Sequence, residues 1–259
     1  MKKFFHHFLH PFLLLPPLAL RDLKMRFVSS YLGVMWVLVQ PVITIIIMWF
    51  VFSVGLKVRP VSEVPFILWL IPGYLAWQYF SEGISGGAHS IIESSYLVKK
   101  IVFRVELLPL VKIMSGLMIH VAFMVAMVLI YSARGYGLHV LQVGYYMISV
   151  TTLIIGLSYI TSSLTVFIRD IGQVVGVLLQ IGFWGTPIFW EEGMIPSRYR
   201  WLVALNPMSY IVEGYRQSLL SGAWPPLGAS VRYWLVTLLI MIVGIKLFRA
   251  LRPHFADVL

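Results

Sequence analysis

The sequence predicts an all-α integral membrane protein with six transmembrane helices, and three observations predict it. Hydrophobic residues make up 59% of the 259 and charged residues only 12%, whereas about a quarter of an ordinary soluble domain is charged. The apolar stretches are each close to the ~20 residues that cross a bilayer core. The connections between them are too short to hold a folded domain of the usual ~100 residues or more. A soluble globule is therefore excluded. The net charge of +10 does not call for a nucleic-acid partner, because in a membrane chain Lys and Arg mark the cytoplasmic side. With no cysteine in the chain, disulfide scaffolds, thiolate zinc sites and thiol chemistry are excluded.

Residues 1–30 read as a cytoplasmic tail and an interfacial helix. Lys2 and Lys3 ahead of an apolar stretch imitate a secretory signal, but Pro11, Pro16, Pro17 and three histidines interrupt it. No small-x-small cleavage site precedes Arg21, so the segment is expected to be retained. From Pro17 onward, Leu20, Leu23 and Phe27 fall on one helical face and Arg21, Asp22 and Arg26 on the other, the pattern of a helix lying in the interface plane.

The first span is set at about 31–56, because the 30 residues between Arg26 and Lys57 carry no formal charge. The second, 64–92, carries Trp69, Trp77 and Tyr79 and continues past Glu82. The third to sixth are placed at 107–133, 143–168, 171–190 and 231–249. Lys246, in the last turn of the sixth, can snorkel along its own stem. Residues 191–230, with charges, Pro and Gly around two apolar blocks, are left as an external segment. Placing both termini in the cytoplasm puts 13 of the 20 Lys and Arg inside, which is the orientation the positive-inside rule favours.

The chain has no G-x-x-x-x-G-K-[ST] loop, so it cannot hydrolyse ATP alone. Its ten carboxylates are scattered. His6 and His10 have helical metal spacing, but two imidazoles without further ligands read as interfacial packing, and no metal site is predicted. A multispan polyprenyl-lipid transferase, the alternative from a different class, needs a positioned base or a carboxylate cluster. Only Glu191 and Glu192 adjoin, and neighbours on a helix diverge by about 100°. His120 reads as packed in the bundle.

Glu82 lies about 24 Å along its helix counted from Phe66. A carboxylate at that depth costs about 2.5–3.5 kcal/mol unless it faces protein or water. A basic partner from the cytoplasmic side and a place on a substrate path remain equal alternatives. The stretch from Glu93 to Arg104 is too apolar for a solvated loop and too charged for a span. It fits a short amphipathic helix that rests on lipid or enters a partner's groove.

In order along the chain, several blocks resemble the permease subunit of the ABC transporters that export lipid-linked polysaccharides of the O-antigen, capsule and teichoic acid type. They are Arg21-Asp-Leu-Lys-Met-Arg-Phe up to Trp36 and Pro41, Leu97-Val-Lys-Lys-Ile-Val-Phe103 with Pro109, Phe167-Ile-Arg-Asp-Ile171, Thr186-Pro187-Ile188, and Asn206-Pro-Met-Ser-Tyr with Arg216. Arg104, where proline is common, and Glu82, where a small or neutral residue is usual, depart from the pattern.

The resemblance implies a homodimer working with two separate ATPase subunits, which bind the ATP and Mg; this chain itself would hold no cofactor. It implies an inner-membrane location and a polyprenyl-pyrophosphate-linked glycan as cargo, with a small-lipid or drug exporter of the same architecture as the alternative. By the same resemblance Glu93, Tyr96, Lys99, Lys100, Phe103 and Arg104 form the cytoplasmic coupling helix that docks on the ATPase. Arg21, Lys24 and Arg26 would meet a lipid head group or the anionic membrane surface. Trp36, Glu82, Phe183 and Trp184 are candidates to line the path, the aromatic faces offering area without fixed hydrogen-bond registry. Asn206, Pro207, Tyr210 and Arg216 belong to a re-entrant external gate within 191–230. Gly172 and Gly176 form a G-x-x-x-G pair that reads as helix packing.

Overall fold

The computed structural model describes residues 13–28, 31–57, 64–98, 104–137 and 139–259, and among them the regular structure is helical with no extended strand. Helix α1, Leu15–Phe27, begins with Pro16 and Pro17 in its first turn, where a missing backbone N–H costs nothing. A 3-10 turn at Gly33–Met35, with Gly33 at φ +52°, leads into α2, Trp36–Trp49, which continues as a π-helical stretch over Phe50–Gly55. Then come α3, Phe66–Glu93, and the short α4, Ser95–Val98. The long helices α5, Leu107–Ala133, and α6, Val140–Phe167, precede α7, Ile171–Gly185. Two further 3-10 turns lead to α8, Arg200–Leu205, and α9, Pro207–Leu220. The chain finishes with α10, Leu227–Leu251, and α11, Phe255–Val258.

Among the described residues, four helical stretches are long and apolar enough to cross a membrane: Trp36–Gly55, Leu107–Ala133, Val140–Phe167 and Leu227–Val258. Helix α3 has the length, about 42 Å at 1.5 Å per residue, but a more polar composition. Its position explains this: 18 of its 28 residues are buried, and it packs against α2, α5, α6, α7 and α9. A helix enclosed by protein does not need an apolar surface for lipid. Helix α7 has 15 residues, about 22 Å, and ends five residues short of the predicted span. Its first turn is packed, because a Cβ on Gly172 would lie 2.5 Å from His89 Nε2. Around Gly176 there is open space, so only one member of the G-x-x-x-G pair serves packing within the chain.

The bundle core is built around α3, and a second apolar cluster closes the end where α3 terminates. There Ile91, Val105, Leu108, Val166, Phe248 and Phe255 pack together, bringing α11 under the ends of α3, α5, α6 and α10. Helices α6 and α10 meet most closely where a Cβ on Gly244 would lie 2.4 Å from the Gly156 carbonyl oxygen. Backbone cannot move aside as a side-chain tip can, so Gly244→Ala is expected to separate these helices at a cost of about 1–3 kcal/mol. A lowered thermal midpoint of the detergent-solubilised protein is the readout, and an unchanged midpoint would refute the contact.

The amphipathic pattern of α1 leaves open which of its faces turns toward the bundle. Its inward face carries Leu15 and Ala19, both buried, together with Asp22 and Arg26, while Leu20 is 46% exposed. The charged face turns toward α5 because oppositely charged partners wait there, which the helical period alone does not reveal.

Candidate functional site

A charged hub joins α1 to α3 and α5 at the Glu93 end of the bundle. The spacing 15, 19, 22 and 26 places one stripe of α1 against α5, and Asp22 lies at its centre. Asp22 Oδ2 accepts from Arg26 Nε at 3.0 Å and from Ser115 Oγ at 2.8 Å, and Asp22 Oδ1 pairs with Lys112 Nζ at 2.8 Å. Arg26 Nη1 donates to Glu82 Oε1 at 2.9 Å and Nη2 to Ser115 Oγ at 2.9 Å. Lys112 also reaches Glu93 Oε2 at 2.9 Å. Burial pushes the Asp22 carboxyl up, but the hydrogen bond from Lys112, the charges of Arg26 and Lys112 and the Ser115 hydroxyl together hold it below the usual carboxylate value.

Within this hub the Glu82 carboxylate is held by Arg26, a basic partner of the kind that one of its two alternatives called for. The Arg26 guanidinium is thereby engaged on all three nitrogens. Arg21 and Lys24 stay exposed on α1. Asp22, Lys112 and Ser115 were not singled out from sequence, although a carboxylate at membrane depth is itself a signal that a cationic partner must exist.

Of the predicted coupling residues, Glu93 ends α3 in its ion pair with Lys112. Tyr96, on α4, is 63% exposed. Arg104 stands just ahead of α5, and Lys99, Lys100 and Phe103 lie outside the described residues. The start of α5 is anchored by Glu106: Arg252 pairs with its carboxylate, and Tyr159 Oη donates to its carbonyl at 3.2 Å.

At the opposite end, α9 runs back into the bundle and packs on α3, α5, α6 and α10. Asn206 caps it, its Oδ1 accepting from Met208 N at 2.9 Å, which satisfies one of the free amides of the first turn. Asn206 Nδ2 donates to Thr186 Oγ1 at 2.8 Å, so one side chain ties α9 to the end of α7. Pro207 occupies the first helical position. Tyr210 Oη is 2.9 Å from both Tyr145 Oη and Ser230 Oγ, and its ring stacks on Tyr233 at 4.6 Å.

Arg216, expected in an external gate, is 2% exposed. Its Nε donates to the Trp69 carbonyl at 3.1 Å, its Nη2 to the Ile188 carbonyl, and its guanidinium lies 3.4 Å over the Trp69 ring. Glu213 is 3.7 Å away on the same helix. The residue locks α9 onto α3 and the segment after α7. Beside it opens a cavity of about 930 Å³ between α8, α9 and α10.

The third feature is an open apolar surface. Only Pro41 is buried on α2, and Trp36 and Trp49 are 45% and 39% exposed. On α7, Trp184 is 61% exposed, in a row with exposed Val174, Val177, Leu178 and Ile181. Phe183 turns inward instead, packing near Trp77 and Phe189 at 6.0 and 5.7 Å between ring centres. Buried His120 bonds Tyr215 Oη through Nε2 at 2.9 Å and stacks on Tyr79 at 4.6 Å. Among the described residues no group of three His, Asp or Glu is placed to hold a metal.

Comparison with known proteins gives a consistent set of similarities. The description of ABC-2 type transporters matches residues 18–220. Two Klebsiella pneumoniae proteins, each named O-antigen export system permease protein RfbA, are 28% and 27% identical over 248 residues, covering 92% of this chain and 92% of theirs. A Myxococcus xanthus protein of the same name is 26% identical over 248 residues, covering 94% of each.

Proposed function

The chain belongs to the ABC-2 type transporter family, and on that premise we propose that it is the permease subunit of an ATP-driven exporter carrying an O-antigen-type, lipid-linked polysaccharide across the inner membrane. The similarity that supports the cargo extends along nearly the full length of three proteins named for O-antigen export. The chain lacks a phosphate-binding loop, so hydrolysis falls to a partner ATPase that binds the ATP and Mg. Two copies of this chain and two ATPases make up the working unit.

In this reading six passes cross the bilayer, α3 and α7 included, with both termini and the Glu93 end cytoplasmic. The coupling stretch from Glu93 to Arg104 docks on the ATPase, and α1, held by the Asp22 hub, moves with α3 and α5 when the ATPases close. Arg21 and Lys24 remain available to the pyrophosphate head group or to anionic lipid. The exposed faces of α2 and α7 meet those of the second copy around the path.

The observation that favours a glycan over a small lipid or drug is the presence of Trp36, Trp49 and Trp184 on those open faces. An apolar cargo needs only an apolar wall, whereas flat aromatic surfaces let sugar rings slide. The test is removal of the chain from the producing cell. Loss of surface polysaccharide with retention of lipid-linked glycan inside, together with co-purification of an ATPase, is the expected result. Normal surface glycan without this chain would refute the reading.

A further inference from the structure

The cavity of about 930 Å³ between α8, α9 and α10 is separate from the open faces of α2 and α7, and its wall includes Asn206, Pro207, Tyr210 and Arg216, the residues expected in the external gate. Its volume is near the top of the roughly 300–1,000 Å³ range of ligand pockets, enough for more than one sugar ring. Three observations define what it would take. First, the wall is rich in hydrogen-bond acceptors: Glu191, Glu192 and Glu213 line it, against Arg232 and an Arg216 already committed to two carbonyls and the Trp69 face. Second, neutral polar side chains share the wall, Asn206, Ser209 and Gln217 among them. Third, Trp201 lines the cavity with 57% of its surface exposed, a flat apolar face at the mouth.

Acceptor carboxylates with an aromatic face suit a neutral, hydroxyl-dense ligand, which donates hydrogen bonds from its rim and packs its C–H face on the ring. A phosphate-bearing lipid head group would meet the same three carboxylates against Arg232 and the committed Arg216, a balance on the side of repulsion. We infer that this cavity is a saccharide-binding subsite on the external flank of each permease, holding a short run of sugar units after they leave the path. The identity of those units as exported glycan rests on the proposed transport function; the chemical class of the ligand rests on the cavity alone.

The test uses the full-length chain in phosphatidylcholine nanodiscs. The probes are short oligomers cut from the delipidated surface polysaccharide of the producing cell and, separately, phosphatidylglycerol. Saturation-transfer NMR is expected to show saturable contact with the oligomers. That contact should weaken at least tenfold in Trp201→Ala and in the double variant Glu191→Gln/Glu192→Gln, both altered at the cavity mouth away from the bundle core, with unchanged thermal unfolding as the control. Oligomer contact that is absent, or equal in the wild type and both variants, overturns the proposal. Retention of phosphatidylglycerol by the wild type alone, without oligomer contact, also overturns it, in favour of a lipid site. Surface glycan after removal of the chain is scored independently. Its loss without oligomer binding leaves the transport function standing and the subsite refuted; its persistence with cavity-dependent binding does the reverse.

Discussion

Arg216→Ala is expected to destabilise the protein by about 3–5 kcal/mol, the largest effect of any single substitution considered. The guanidinium is 2% exposed and donates to the carbonyls of Trp69 and Ile188. Each buried carbonyl left without its charged donor costs about 1–3 kcal/mol, and the stacking on Trp69 adds roughly 1–2 kcal/mol when desolvated. Arg216→Lys is expected to recover little, because one ammonium cannot supply both the planar face and the fork of donors. Thermal unfolding of the purified protein measures the loss, and limited proteolysis should show new cleavage within 186–220 as α9 detaches. A lysine variant with wild-type stability would show that charge alone, and not the geometry of the fork, holds α9.

The second large effect is expected at Asp22. It receives Arg26, Lys112 and Ser115 together, so Asp22→Ala leaves two cations in a partly buried place with Glu82 and Glu93 as their remaining partners. Breaking such a network from its centre costs about 2–4 kcal/mol, toward the lower part of what a fully buried pair loses, since the hub side chains keep 15–24% exposure at Asp22, Lys112 and Arg26. Helix α1 should loosen from α5, read as faster amide exchange across 15–27, and transport should fall while the membrane bundle stays folded. Exchange in α1 that matches the wild type would remove the hub from the account. Because the Asp22 carboxyl is held below its usual value, its contribution is fully present above about pH 3.9 and fades as pH falls through the depressed folded value. Neutral and mildly acidic buffers should therefore leave α1 docked.

How far the sequence could be read differs from place to place. Composition and uncharged runs carried the membrane class and the approximate position of each long helix, because hydrophobic burial in lipid acts on whole segments. For α7 the predicted end was five residues too long: Thr186 to Trp190 are apolar enough to continue a span, yet the chain turns there, and Asn206 reaches back to bond the Thr186 hydroxyl. Glu82 announced that it needed a partner but not which one, since Arg26 lies 56 residues away. Arg216 stood out only through the resemblance of its block, which gave no sign that it would be buried. In sequence it is one more arginine of an external segment, and only the return of α9 into the bundle buries it.

The sequence by itself determined that this chain lives in a membrane, carries a net charge of +10 and has no phosphate-binding loop of its own. Each of these is a sum over many residues or a motif contained in a few neighbouring ones, so no knowledge of contacts is needed. The tertiary structure alone decided which face of α1 turns inward, which two carbonyls receive Arg216 and that α8, α9 and α10 border a cavity. Those outcomes depend on pairing between groups far apart in the chain, where the cost of burying a charge is offset only by the one neighbour that the fold brings within 3 Å.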